Sequence, residues 1–373
     1  MSANRPTVIV RRILLVAAIV FLSSAAVQDP GADASSSQPL ATTPDGWEIP
    51  RTADGHPDLQ GNWTNATLTP LQRPRGREPV LTEAEVVDIE QGQAELVERL
   101  EAPSDPDRPL PVGGNNPVCI DGPTSCYNEA YREPGDRVAR VHGEPRSSLL
   151  TSPSDGRVPA LTPAARAWQV ASRARTAGLG PYDHPEVRPL GERCLLSFGS
   201  NAGPPMLPNY WYNNNYTIVQ TQDHILILSE MVHDARIIRM GERSPLPDHI
   251  RPWLGDSWGR WVGDTLVVET TNIHPLQNYP TEPIGQLVAP GIWGVRPTAA
   301  LKVTERFTRV DEQTILYEFT VDDPTTYTQT WGGEVPFKKY NDLLYEYSCH
   351  EGNYAMSNIL SGARYQERQA GGN

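Results

Sequence analysis

Ile225-Leu-Ile-Leu-Ser-Glu230, Met231-Val-His-Asp-Ala-Arg236 and Trp258-Gly-Arg-Trp-Val-Gly-Asp264-Thr-Leu-Val-Val-Glu269 mark the stretch from Tyr216 to Asn272. Apolar residues recur there with a period of two, the spacing that sends alternate side chains to opposite faces of a strand. Working outward, the pattern predicts about nine strands, at 217–222, 225–231, 235–240, 257–262, 265–272, 301–310, 314–322, 325–332 and 343–349. Gln222-Asp223, Gly263-Asp264 and Asp311-Glu-Gln313 are short enough to close hairpins. No crossover helix intervenes, so parallel pairing is excluded for most of the sheet. Many strands carry apolar residues on both faces, which favours a mainly β antiparallel meander closed or curled into a barrel.

Upstream, periodicity is weak. Residues 54–190 read as an irregular wrapping segment, and residues 191–373 as the barrel domain. The wrapping holds two short helices. One is capped by Thr82 with Glu85 three residues on and ends near Leu100; the other starts at Thr162-Pro163 and runs to about Thr176. Asp54-Gly-His-Pro-Asp-Leu-Gln-Gly-Asn-Trp63 and the Pro-rich run after it suit a strap over a sheet edge better than a sheet interior.

Arg5, Arg11 and Arg12 precede the apolar run Ile13–Leu22 and the small residues Ser23-Ser-Ala-Ala26, a pattern that predicts a signal peptide over 1–26. Residues 27–53 follow as a flexible leader. The expected location is the periplasm or the medium, after cleavage near Ala26 and with no stable membrane anchor. Removing three arginines and no acid takes the formal charge from −13 to −16. Such a chain repels phosphate backbones, so nucleic acid is not an expected partner.

In an exported chain four cysteines predict two disulfides. Cys119 and Cys126 flank a turn-rich loop that can close locally, which leaves Cys194 for Cys349. A zinc site would need closely paired ligands, and no C-x-x-C occurs.

Continuous alternation along 225–238 would put Glu230, Asp234 and Arg236 on one face, with Arg236 holding Asp234 ionised. His233 faces the other way. On 343–349 the same reading gives Leu344, Glu346, Ser348 and His350 one face, and places His350-Glu351 at a barrel mouth. The two His-acid pairs, His233–Asp234 and His350–Glu351, suit proton transfer, with the acid setting the ring tautomer. Structural hydrogen bonding is the competing use of each histidine. Neighbouring strand residues point apart, so each pair offers one metal ligand at most, and no metal or organic cofactor is expected. Trp258, Trp261 and Tyr345 suit a flat apolar ligand, with Arg260 and Asn214 as polar contacts. No G-x-S-x-G, H-E-x-x-H, P-loop or G-x-G-x-x-G motif occurs, which removes support for serine hydrolase, zincin and nucleotide-binding readings.

Asp54-Gly-His-Pro-Asp-Leu-Gln-Gly-Asn-Trp, Glu230-Met-Val-His-Asp-Ala-Arg-Ile-Ile, Gly259-Arg-Trp-Val-Gly-Asp-Thr-Leu-Val-Val-Glu-Thr-Thr-Asn272 and Cys349-His-Glu-Gly-Asn-Tyr354 are similar to motifs of a set of exported bacterial proteins. The resemblance implies export and brings no activity with it. The meander also resembles the lipocalin-type (calycin) barrels, a fold-level likeness that carries no function. The expected function is cofactor-free acid–base catalysis, as a lyase, isomerase or hydratase, on a small aromatic or terpenoid-like molecule. A non-catalytic carrier of a hydrophobic ligand and a structural envelope protein are the alternatives.

Overall fold

A computed structural model describes residues 46–101, 133–175, 178–180, 182–197, 199, 201–208, 212–231, 235–277, 297–351 and 353–371. These belong to the compact unit Ala41–Asn373. The proposed signal segment, most of the leader, Cys119, Cys126, His233 and Asp234 lie outside the described residues.

The chain forms β1 (Gly61–Thr64), α1 (Glu83–Glu101), β2 (Arg140–Val141), β3 (Glu144–Pro145), β4 (Leu150–Ser152), α2 (Pro163–Arg175), β5 (Asn215–Gln220), β6 (His224–Ser229) and β7 (Ala235–Met240). It continues through β8 (Asp256–Val262), β9 (Thr265–Thr271), β10 (Lys302–Arg309), β11 (Thr314–Asp322), β12 (Trp331–Lys339) and α3 (Tyr354–Gly371). Strands β5 to β12 pair in sequence order, and β1 pairs with both β5 and β12, which closes a nine-strand barrel. Every pairing in the ring is antiparallel except β7–β8, where Ile238 lies opposite Ser257 in a parallel pair. Closure leaves no long unpaired edge.

The strand expected at 343–349 does not form. Leu343 and Tyr345 are each 79 % exposed, so its alternating apolar residues do not face the core. The segment is an irregular strap, and the ninth strand is β1, four residues from the stretch read as wrapping. The strand expected at 325–332 is displaced to 331–339, because Asp323 gathers the preceding residues into a turn. Its carboxylate accepts from the Thr326 hydroxyl at 2.8 Å and from the backbone N–H groups of Thr325 and Thr326. In β12, Gly333 allows β4 to approach, since a Cβ there would lie 2.1 Å from the Leu149 carbonyl oxygen, and Gly332 allows the close approach of β11, where a Cβ would lie 2.2 Å from the Phe319 carbonyl oxygen.

Both expected helix starts are present. Thr82 accepts from the Glu85 N–H, and Glu85 accepts from the Thr82 N–H at 2.8 Å, so the capping box closes. The Thr162 hydroxyl accepts from the Ala165 N–H at 3.1 Å. Helix α3 is an addition, read from the sequence only as a turn at its start.

The barrel interior is filled. Trp63, Tyr216, Ile218, Ile225, Phe307, Tyr317 and Phe337 are essentially inaccessible and belong to one cluster. Met206 and Leu207 join this cluster, and the Met206 N–H donates to Tyr317 Oη at 2.9 Å. A polar knot lies within: Arg236 donates to Glu305 through both terminal nitrogens, to Ser257 Oγ at 3.0 Å and to Thr270 Oγ1 at 2.9 Å. Tyr317 Oη donates to Glu305 Oε1 at 2.9 Å. Burial works against the Arg236 charge, but Glu305 more than offsets it and raises the guanidinium pKa.

Candidate functional site

Where β5 begins and β6 ends, two polar side chains meet. Asn215 alternates with the inward Tyr216, so it points to the outer side of the wall. The Glu230 N–H donates to the Asn215 carbonyl at 3.0 Å, and Asn215 Nδ2 donates to Glu230 Oε2 at 2.8 Å. Both residues are buried, at 2 % and 6 % exposure.

The strap after β12 covers this outer face. It is fastened by Tyr340 N–H to the Asn62 carbonyl at 2.9 Å, by Asn62 Nδ2 to the Asp342 carbonyl at 2.9 Å, and by Tyr345 N–H to Glu230 Oε1 at 3.4 Å. Farther along, the Cys194–Cys349 disulfide ties it to the segment before β5. Asn214 is fully buried and donates to the Glu133 carbonyl at 3.2 Å, which brings a second glutamate to the same place. Asn213 adopts φ +56°, a left-handed turn conformation that Asn tolerates.

Between wall and strap lies a cavity of about 390 Å³, lined by Glu133, Tyr212, Asn213, Asn215, Glu230, Tyr340 and Tyr345. That volume falls within the range of small-molecule sites. Glu133 keeps much of its surface in solvent, yet partial burial of its carboxyl, followed by the charge of Glu230, raises its pKa, with Asn215 opposing. Burial also raises the Tyr212 phenol. The Tyr340 phenol is raised by burial, then by Glu133 and Glu230. Carboxylates with divergent environments are the usual ingredients of acid–base work.

Of the residues singled out in the sequence, Glu230 and Tyr345 line the cavity, and Asn214 stands behind it as the anchor of Glu133. The others are elsewhere. Arg236 points into the barrel and pairs with Glu305, because the odd-numbered residues Ile225 and Ile227 face inward on β6 and the even-numbered Arg236 and Ile238 face inward on β7. The shared face expected for Glu230 and Arg236 therefore does not exist. Trp258 and Arg260 lie on the outer face of β8: the Trp258 ring lies under Arg239 and donates to Asp256 at 3.1 Å, and Arg260 pairs with Glu269 at 3.3 Å. Trp261 faces inward and stacks on His56 at 4.9 Å. His350 and Glu351 are exposed in the turn before α3, away from the cavity lining. Glu133 and Tyr340 were not reached from the sequence, since neither belongs to a periodic segment or a motif.

Among the described residues no group of three His, Cys, Asp or Glu side chains is placed to hold a metal ion, and no helix is long and apolar enough to cross a membrane. Comparison with protein-family models, characterised proteins and solved structures returned no match.

Proposed function

We propose that this chain is an exported β-barrel enzyme whose working site is the outer-wall cleft, where it performs cofactor-free acid–base chemistry on a small molecule. Glu133 is the proton carrier, its proton held by partial burial first and by the charge of Glu230 second; Tyr212, Tyr340 and Tyr345 receive the flat part of the ligand. The observation that supports this most is the meeting of Glu133 and the buried Glu230 in one tyrosine-lined cavity, an arrangement that displaces the Glu133 pKa upward. A carboxyl displaced toward neutrality is a better general acid than an ordinary one. Lyase, isomerase and hydratase reactions fit, because each needs a proton moved and no redox partner. His233 and Asp234 follow Glu230 by three and four positions in the chain and remain candidates for the second proton carrier.

The alternative is a carrier that holds the same ligand unchanged. Deuterium uptake from heavy water separates the two. Incubated with a panel of aromatic and terpenoid-like carbonyl and hydroxyl compounds, an enzyme exchanges label into at least one of them, and Glu133→Gln abolishes the exchange while leaving the thermal midpoint in place. Binding without exchange in the wild-type protein favours the carrier. Exchange that persists in Glu133→Gln removes the assigned role.

A further inference from the structure

The cleft lacks one kind of group. Its described lining offers two carboxylates, two amides and three tyrosines, and no lysine, arginine or histidine. Two neutral groups donate to Glu230, Asn215 Nδ2 and the Tyr345 N–H. With its amide nitrogen committed to Glu230, Asn215 is left with a buried Oδ1 that has no partner. A buried acceptor without a donor costs about 1–3 kcal/mol, so a ligand that supplies an N–H relieves a standing penalty.

Building on the cleft as the working site, we infer that its ligand is an organic ammonium, a protonated amine attached to a flat apolar body. The ammonium has three donors for Glu133, Glu230 and Asn215 Oδ1, and its charge supplies what the two carboxylates lack. Tyrosine faces attract cations as well as flat rings. A bare metal ion would leave most of the 390 Å³ unused. The formal charge of −13 adds long-range attraction for a cation.

Calorimetric titration at low ionic strength and neutral pH tests this with tyramine, tryptamine and spermidine, set against neutral 4-propylphenol and anionic 3-(4-hydroxyphenyl)propanoate. The expected result is one saturable site for at least one ammonium, with the neutral and anionic probes bound about tenfold more weakly or not at all. Glu230→Gln and Glu133→Gln should each weaken the ammonium about tenfold or more, at an unchanged thermal midpoint. If Glu230→Gln fails to fold, Glu133→Gln and Tyr345→Ala carry the test. Equal or tighter binding of 4-propylphenol, lost in Glu230→Gln, overturns the ammonium and leaves the cleft standing. Three further results overturn the inference: ammonium binding untouched by both glutamate variants, no binding of any ammonium, and displacement of a bound ammonium by calcium chloride at equal stoichiometry. Deuterium exchange is read separately, so loss of the acid–base reading does not masquerade as loss of the ligand class.

Discussion

Two glutamates are buried in the wall of this barrel, one on each side of it. Glu305, inside, has a guanidinium with two terminal nitrogens and a phenol directed at it. Glu230, outside, has an amide and a backbone N–H, with a second carboxyl for a neighbour. The first is a closed arrangement that has nothing left to offer a ligand. The second is under-compensated, and it opens onto a cavity. Burial alone would rank the two alike; the partners separate them.

The comparison breaks most visibly on the inner side. Arg236→Ala or Glu305→Ala leaves one charge buried alone and is expected to lower stability by about 3–5 kcal/mol, read as a shift in denaturant midpoint. A loss under 1 kcal/mol would mean that the knot is solvated and that the contrast with Glu230 is misplaced. Next comes the strap. Cys194 and Cys349 lie 155 residues apart, and opening their bond by the double serine variant should cost about 2–4 kcal/mol. Ligand binding should weaken with it, because Tyr340 and Tyr345 belong to the tethered segment. Retained binding in the double variant would show that the strap's backbone hydrogen bonds suffice.

On the outer side the expected effects on stability are small. Glu230→Gln keeps the shape and can still accept from Asn215 Nδ2, gives up only the long 3.4 Å contact from the Tyr345 N–H, removes a repulsive neighbour of Glu133, and should change stability by about 1 kcal/mol or less. A collapse comparable to Glu305→Ala would make Glu230 a structural group. The smallest effect is in the pH dependence. Glu133 titrates above its usual 4.5, so between that value and its raised one the folded state holds more protons than the unfolded chain. Stability contributed by this group therefore falls as pH rises through that window and is level above it. Glu133→Gln should flatten that part of the stability profile, while an unchanged slope would assign it to another group.

Much of the barrel was legible because each of the strands β5 to β11 alternates within itself, and the turns after β5, β8 and β10 are hairpin-short. Strands β5 to β11 fall within a few residues of their expected places. Strand β1 was not legible: Gly-Asn-Trp-Thr is four residues long and becomes a strand only through pairing with β5 and β12. Strand β12 contains Gly332, Gly333 and Pro336, residues that count against a strand on propensity, and the glycines are needed there for the approach of β11 at Gly332 and of β4 at Gly333. Leu343, Tyr345 and Tyr347 mislead in the opposite sense, since their alternation belongs to a strap. The parallel β7–β8 pair follows a connection with no helix, so its direction had no sequence signal.

At the site, Glu230 and Tyr345 stood out as an acid within an apolar strand pattern and an aromatic suited to a flat ligand. The meaning of Glu230 was misread, because alternation was carried through a chain reversal. Glu133 had no local signal at all. It sits in a Pro/Gly-rich stretch, and the buried Asn214 amide on its backbone carbonyl, with the Asn215 side chain on its carboxyl, holds it at the cleft.

The coupling of the two outer carboxyls is open to direct measurement by carbon-13 titration of the Glu133 side chain in the wild-type protein and in Glu230→Gln. The expected wild-type midpoint lies above 4.5 and moves down when the Glu230 charge is removed. An ordinary midpoint that is the same in both proteins would contradict this coupling.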